Sequence, residues 1–357
     1  MNVLRIPVAG LVFGLLASCA QTPTEMSYFP AGGDSDEKRS LLWPSLPEVP
    51  RYRYTGQLLG EQNFGPAERS DPGIGETVFR WIVGLGAGFR SDPRVLMRPQ
   101  SGMVEAGGRI IVTDVGRGAI FVFDPSQGKL FIWDRADKGS AFTAPVGVTA
   151  GVDGEILVAD SELHRVVRLR SDGKPLGSFG ADSLRRPTGL ARDPATGRVY
   201  VADTRAHDIK VFDDNGKLLY SIGRHGSAAG EFNAPTHISL VKDRLYVADT
   251  LNARVQILTM DGQPLKTVGR RGLYVGNLTR PKGVTADNDG NVYVVESYYD
   301  HLLVFSQEGE FLLPIGGTGA GIGQFYLPAG VWSDDRGRLF VADMYNGRVV
   351  IFQYLGG

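Results

Sequence analysis

Leu245-Tyr246-Val247-Ala248-Asp249-Thr250-Leu251-Asn252-Ala253-Arg254-Val255-Gln256 and Leu339-Phe340-Val341-Ala342-Asp343-Met344-Tyr345-Asn346-Gly347-Arg348-Val349 are two copies of one phrase. Each is a short apolar strand closed by an acid, then a turn, then a second apolar strand opened by arginine. Working outward, the phrase is preceded by a proline, in most copies with a glycine two or three residues further on. The prolines are Pro99, Pro145, Pro187, Pro235, Pro281 and Pro328, separated by 46, 42, 48, 46 and 47 residues. The acids that close the second strand are Asp114, Asp160, Asp203, Asp249, Glu296 and Asp343. A period of this length marks a repeat architecture, in which each copy is one supersecondary unit stacked on its neighbours.

Within a copy the apolar runs are short and rich in Val, Ile, Leu, Tyr and Phe. They are separated by pairs such as Asp153-Gly154, Asp172-Gly173, Asp261-Gly262 and Asp289-Gly290, which are hairpin turn signals. In the fifth copy the four strands are Gly283 to Ala286, Val292 to Glu296, His301 to Phe305 and Phe311 to Gly316. Four antiparallel strands per unit, with no helical segment between units, predict an all-β fold: a six-bladed β-propeller of four-stranded antiparallel blades. The quoted phrases resemble NHL repeats. The resemblance loosens in the first copy, at Val115-Gly116-Arg117, and in the fifth, where Glu296 replaces Asp and His301 replaces Arg. It spans Pro99 to the C-terminus, and the chain as a whole resembles bacterial lipoproteins built on a six-bladed NHL propeller.

The sixth copy begins at Pro328 and leaves room for only three strands before Gly357, so the last blade is expected to be closed by an N-terminal strand. Closure of this kind removes the open edges that invite aggregation. Phe79-Arg80-Trp81-Ile82-Val83-Gly84 has the look of a fourth strand such as Leu219-Tyr220-Ser221-Ile222-Gly223 and is predicted to pair with the C-terminal strand; Tyr52 to Leu59 is the other candidate. The propeller is therefore placed over residues 51–357, with 51–84 containing the closing strand.

Glycine supplies 48 of 357 residues, about twice the usual share, as a turn-rich fold requires. With 38 Lys+Arg against 39 Asp+Glu the net charge is −1, which favours neither nucleic acid nor disorder. The single cysteine, Cys19, closes no intrachain disulfide. Arg5 is followed by an apolar stretch from Ile6 to Ala17, too short for an ordinary membrane span and shaped like a signal peptide. Leu16-Ala17-Ser18-Cys19 resembles the lipobox of bacterial lipoproteins. That resemblance implies removal of residues 1–18, lipidation of Cys19, and a lipid-anchored place in the bacterial cell envelope. Ala20, in place of Asp, implies the outer membrane in a Gram-negative host. Residues 19–50, with scattered proline and charge, read as a flexible tether, in which Leu41, Leu42 and Trp43 are either docking residues or part of the linker.

In a four-stranded meander the turn between strands two and three shares a face with the connection to the next blade. That face would carry the six acids and the six inter-blade loops. The loops hold eleven Lys or Arg against five acids, so the face is locally basic in a neutral chain. Arginine forks recognise carboxylate and phosphate through paired hydrogen bonds. Candidate binding residues are His237, Arg185, Arg186, Arg224, Arg270, Arg271, Arg280 and Lys282; the alternative is a solvated rim. Repetition of the acids in every unit argues for a structural role, accepting backbone or arginine hydrogen bonds at the strand end, over metal binding. His237 stands where Gly147, Gly189, Gly283 and Gly330 stand in other copies, which puts it near the channel mouth. His164 and His207 occupy equivalent turns four residues after their acids. A three-histidine metal site would need all three to converge.

No HExxH, GxSxG or GxxxxGK[ST] motif is present. Asp287-Asn288-Asp289-Gly290-Asn291 lacks the downstream Glu of a calcium loop and reads as a hairpin turn. No motif calls for a cofactor. The leading expectation is a non-enzymatic binding or scaffold module for a protein, peptide or glycan partner on the loop face, held on a lipid membrane through Cys19, with no nucleic-acid partner. The alternative is a metal-dependent propeller enzyme, similar to amidating lyases or lactonases, with a divalent ion at the channel mouth.

Overall fold

The computed structural model describes residues 25–29, 41–65 and 94–356. β-Branched and aromatic runs broken by tight turns leave the chain one way to bury its strands, as a meander packed on both faces. Blade 1 consists of Pro99–Val104, Ile110–Asp114, Ala119–Asp124 and Lys129–Trp133, and blades 2 to 5 repeat this plan down to Phe311–Gly316. The turns follow the expected chemistry: Gly262 after Asp261 takes φ 88°, a conformation that costs any residue with a side chain. Between each pair of adjacent blades lies one hydrophobic cluster, giving six around the ring. Second strands such as Leu245–Asp249 are buried along their length.

The sixth blade is Val331–Ser333, Arg338–Asp343 and Arg348–Tyr354, completed by Tyr52–Leu58. Tyr52 pairs with Tyr354 and Leu58 with Val349 in antiparallel register. The assignment of Phe79–Gly84 as the closing strand is therefore corrected. The edge it was to fill is occupied by Tyr52–Leu58, which buries Tyr52 and Tyr54 against blade 5 and, after a register shift, Leu58 against blade 1. Phe79–Gly84 itself lies outside the described residues, as does Cys19.

The expected tether also differs at its end. Leu42–Trp43 pairs with Arg53 and Tyr52 as a fifth, outermost strand. The Trp43 ring meets Phe352 edge-on at 5.3 Å, and Tyr28 Oη accepts a hydrogen bond from Arg338. These aromatic contacts draw both segments onto blade 6. Among the described residues, no helix is long and apolar enough to cross a membrane.

Candidate functional site: the channel mouth on the loop face

In blades 1 to 5 the proline that opens the inner strand sits opposite the acid that closes the second strand, and register shifts just after the proline. A bulge at this point re-aims the next side chains. Those side chains, among them Thr188, Thr236, His237 and Lys282, are placed at the loop-face end of the channel. Hydroxyls pin blades 2, 3 and 4 each to the next at this level. Ser161 Oγ donates to the carbonyl of Pro187 at 2.6 Å, and Thr204 and Thr250 donate to those of Pro235 and Pro281 at 2.7 Å.

The six acids are buried, and each ties the loop face together. Asp160 accepts from the backbone N–H groups of Thr143, Ala144, Glu162 and Leu163. Asp114 serves Met97, Arg98 and Arg117, Asp203 serves Arg185, Arg186 and Ala206, and Glu296 serves Thr279, Arg280 and Tyr298. Burial pushes the Glu296 and Asp343 carboxyls up, against those donors. Asp249 and Asp343 instead take one backbone donor, Asn233 and Tyr326, and bind Asn252 with Arg254 and Asn346 with Arg348.

The acids thus have full sets of internal donors. The cations do not all have acceptors. Lys282 is partly buried, and no acceptor pairs with its ammonium among the described residues. Burial, then Arg280 and Arg186, pull its pKa below the usual lysine value. Arg186 belongs to blade 3 and Lys282 to blade 5, so that influence acts across the mouth. Arg98, Arg186 and Arg280 each precede the opening proline, in blades 1, 3 and 5, and all three are exposed. Arg-Pro pairs thus recur in alternate blades, and two of these guanidinium groups, those of Arg280 and Arg186, act on Lys282. Arg186 also pairs with Glu162 at 2.9 Å.

The other basic candidates lie on the rim. Arg224 is paired with Glu231, Arg270 faces Asn277 Oδ1 at 3.4 Å, and Arg271 donates to the carbonyl of Leu251. Arg185 is exposed, and its charge lowers the Asp208 pKa slightly against the dominant effect of burial. Sequence reasoning left Arg98 out of the site. Its signal was present as Arg-Pro at every second repeat.

His237 spans the channel. Its Nδ1 accepts the Val284 N–H at 3.4 Å, and its Nε2 faces Ser101 Oγ of the opposite blade at 3.5 Å. With Nδ1 accepting, a neutral ring carries its proton on Nε2 and donates toward Ser101. That is the reverse of the arrangement in which a histidine activates a serine. Burial lowers the His237 pKa to about 4. The glycines at equivalent positions permit close approach of inner strands: a Cβ on Gly189 would lie 2.6 Å from Ile238 N and 2.8 Å from His237 Cα.

His207 packs edge-on against His225, with ring centroids 4.5 Å apart, and its Nδ1 accepts the Ala234 N–H. His164, His207 and His237 do not gather. No group of three or more His, Cys, Asp or Glu is arranged to hold a metal ion among the described residues.

Comparison with known proteins agrees with this architecture. Residues 142–169 match the NHL repeat, and residues 193–268 match a family described as 6-bladed beta-propeller. The chain folds as a six-bladed β-propeller in which one stretch matches the NHL repeat. It is 36% identical over 64 residues to the human E3 ubiquitin-protein ligase NHLRC1, covering 18% of this chain and 16% of that protein. It is 31% identical over 115 residues to the peptidyl-glycine alpha-amidating monooxygenase of Mus musculus, covering 28% of this chain and 12% of that protein. The virginiamycin B lyase of Staphylococcus aureus shares the fold, with a TM-score of 0.53 at 16% identity, over 72% of this chain and 96% of that one. These likenesses are partial or confined to the fold, and function has to be argued from the site.

Proposed function

We propose that the protein is an envelope lipoprotein, anchored through acylated Cys19, whose propeller is a non-enzymatic binding module. Its channel mouth takes a carboxylate or phosphate borne by a protein, peptide or glycan partner. The observation that carries this reading is Lys282: a partly buried ammonium without an acceptor among the described residues, its pKa held down by burial and by Arg280 and Arg186. An anion seated among these groups relieves the repulsion and makes charge-assisted hydrogen bonds, the strong class. The hydroxyl pins make the mouth a rigid cup, so little ordering is needed on binding.

Calorimetric titration with an acidic peptide such as oligoglutamate tests the reading. Lys282→Ala is expected to weaken binding about tenfold or more, the scale of one charge-assisted hydrogen bond, and Lys282→Ala with Arg280→Ala further. The sign of the pH effect follows from the lowered pKa. Affinity holds while Lys282 is protonated and falls as pH rises through that pKa, with proton uptake on binding in that window. Equal affinity for the parent and both variants would overturn the proposal. One tightly held divalent ion per chain, lost in His237→Ala, would instead favour the metal-dependent enzyme.

A further inference from the structure

Three inter-blade connections, 223–235, 269–281 and 316–328, are built on one plan. In each, the N–H of a fully buried residue, Phe232, Leu278 or Phe325, bonds back to a carbonyl at the start of the loop, at 2.9, 2.9 and 2.8 Å. A glycine N–H, from Gly226, Gly272 or Gly319, returns to the carbonyl of that same anchor. The three residues after that glycine are the tip, and the tips differ. They are Ser227-Ala228-Ala229, Leu273-Tyr274-Val275 and Ala320-Gly321-Ile322. Ile322 packs against the core between blades 5 and 6. Leu273, Tyr274 and Val275 are 77%, 82% and 53% exposed. The same scaffold elsewhere carries small residues or tucks its one large apolar side chain against the core, so the fold does not require three large apolar side chains in water.

Two further differences isolate this loop. Arg254 donates to the carbonyl of Ala228, and Arg348 to those of Ala320 and Gly321, which clamps both sister tips onto their blades. The corresponding residue for 269–281 is His301, whose Nδ1 contacts the carbonyl of Tyr299 instead, so this tip is not clamped. Glu231 neutralises Arg224 in the first loop, whereas Asn277 stands at its position here and leaves the charge of Arg270 uncompensated. From Gly262 to Ala286 the chain has no acid and carries Lys266, Arg270, Arg271, Arg280 and Lys282. The loop is nonetheless fixed, because Thr279 Oγ1 donates to the Gly272 carbonyl and the Asn277 N–H to that of Tyr274.

We infer that Leu273-Tyr274-Val275 is a wedge that enters the interface of an anionic lipid bilayer, with Arg270, Arg271 and Arg280 meeting the headgroups. A convex apolar tip needs no preformed pocket in a fluid interface, where tyrosine is well placed and basic side chains are attracted to anionic lipid. The inference goes beyond the anion-binding mouth. It adds a second membrane contact on the loop face, and it stands or falls separately from that reading.

The test uses the full chain carrying Cys19→Ser, so that no acyl group contributes, with Tyr274→Cys or Ala228→Cys labelled with the environment-sensitive dye NBD. On vesicles of phosphatidylglycerol and phosphatidylethanolamine, the label at 274 is expected to brighten severalfold and shift to the blue, and the label at 228 to stay unchanged. Pure phosphatidylcholine should give a weak response at both. Co-sedimentation of an unlabelled Leu273→Ser, Tyr274→Ser, Val275→Ser variant with the same vesicles should fall at least about tenfold below the Cys19→Ser parent, with its oligoglutamate affinity unchanged. Equal responses at 274 and 228, or none at 274 on anionic vesicles, would overturn the inference. So would a 274 response to oligoglutamate alone, pointing to an acidic protein, or to raised protein concentration alone, pointing to a second copy.

Discussion

Blades 4 and 6 carry the same Asp-x-x-Asn-x-Arg phrase, yet one is a continuous stretch of chain and the other is sealed by a strand almost three hundred residues away. In blade 4, Arg254 bonds Asp249 and the carbonyls of Ala228 and Glu231, and Gln256 on the same strand completes the network through Asp249 and Gly230. In blade 6, Arg348 bonds Asp343 and the carbonyls of Ala320, Gly321 and Gln324, and the extra amide is Gln57 of the closing strand. The local phrase builds the same clamp in both places. In blade 6 that clamp also reaches the closing strand, so the arginine couples the blade to ring closure.

The sharpest way to break this comparison is to remove closure itself. Tyr54→Asp with Leu58→Asp puts two charges into the clusters on either side of blade 6, where both residues are buried. We expect loss of a cooperatively folded monomer, seen as a lost thermal transition in circular dichroism and a broadened elution profile. A folded monomer with an unchanged midpoint would show that Tyr52–Leu58 does not seal the ring.

The next effect is the difference between the two clamps. Arg348→Ala should cost about 3–5 kcal/mol in denaturant unfolding, the range for breaking a buried ion pair. Arg254→Ala should cost less, because that side chain is 14% exposed against 9% and its blade has no seal to lose. Equal costs would mean that the contact with Gln57 adds nothing.

The smallest effect is a pH slope. His237 has a folded pKa of about 4, below its ordinary 6.5, so its neutral form favours the folded state. That stability is complete above pH 6.5 and is lost as pH falls toward 4, by at most about 1.4 kcal/mol per pH unit. His237→Gln should flatten the unfolding free energy across this window, and an unchanged slope would show that His237 does not titrate there.

Much of this could be read before the structure, because it is local. The spacing of Pro99 to Pro328 fixes blade length, and the short continuous apolar run Val199-Tyr200-Val201-Ala202 between turn signals fixes strand type, both set by residues a few positions apart. The departures at Glu296 and His301 were visible too, although their consequence, an unclamped loop tip, needed the sister loops side by side. Closure was less legible. Phe79–Gly84 and Tyr52–Leu59 are both short segments rich in strand-forming residues, and nothing local says which one meets Arg348–Tyr354.

By itself, then, the amino-acid order determined the all-β class, the number of blades and the face on which acids and loops collect, since each follows from a short-range period repeated in phase. Only the tertiary structure decided that Tyr52–Leu58 is the seal, that Arg186 and Lys282 influence one another across the mouth, and that His237 reaches Ser101. Those are meetings between residues far apart in the chain, and their partners are chosen by the curvature of the closed ring and not by any neighbouring side chain.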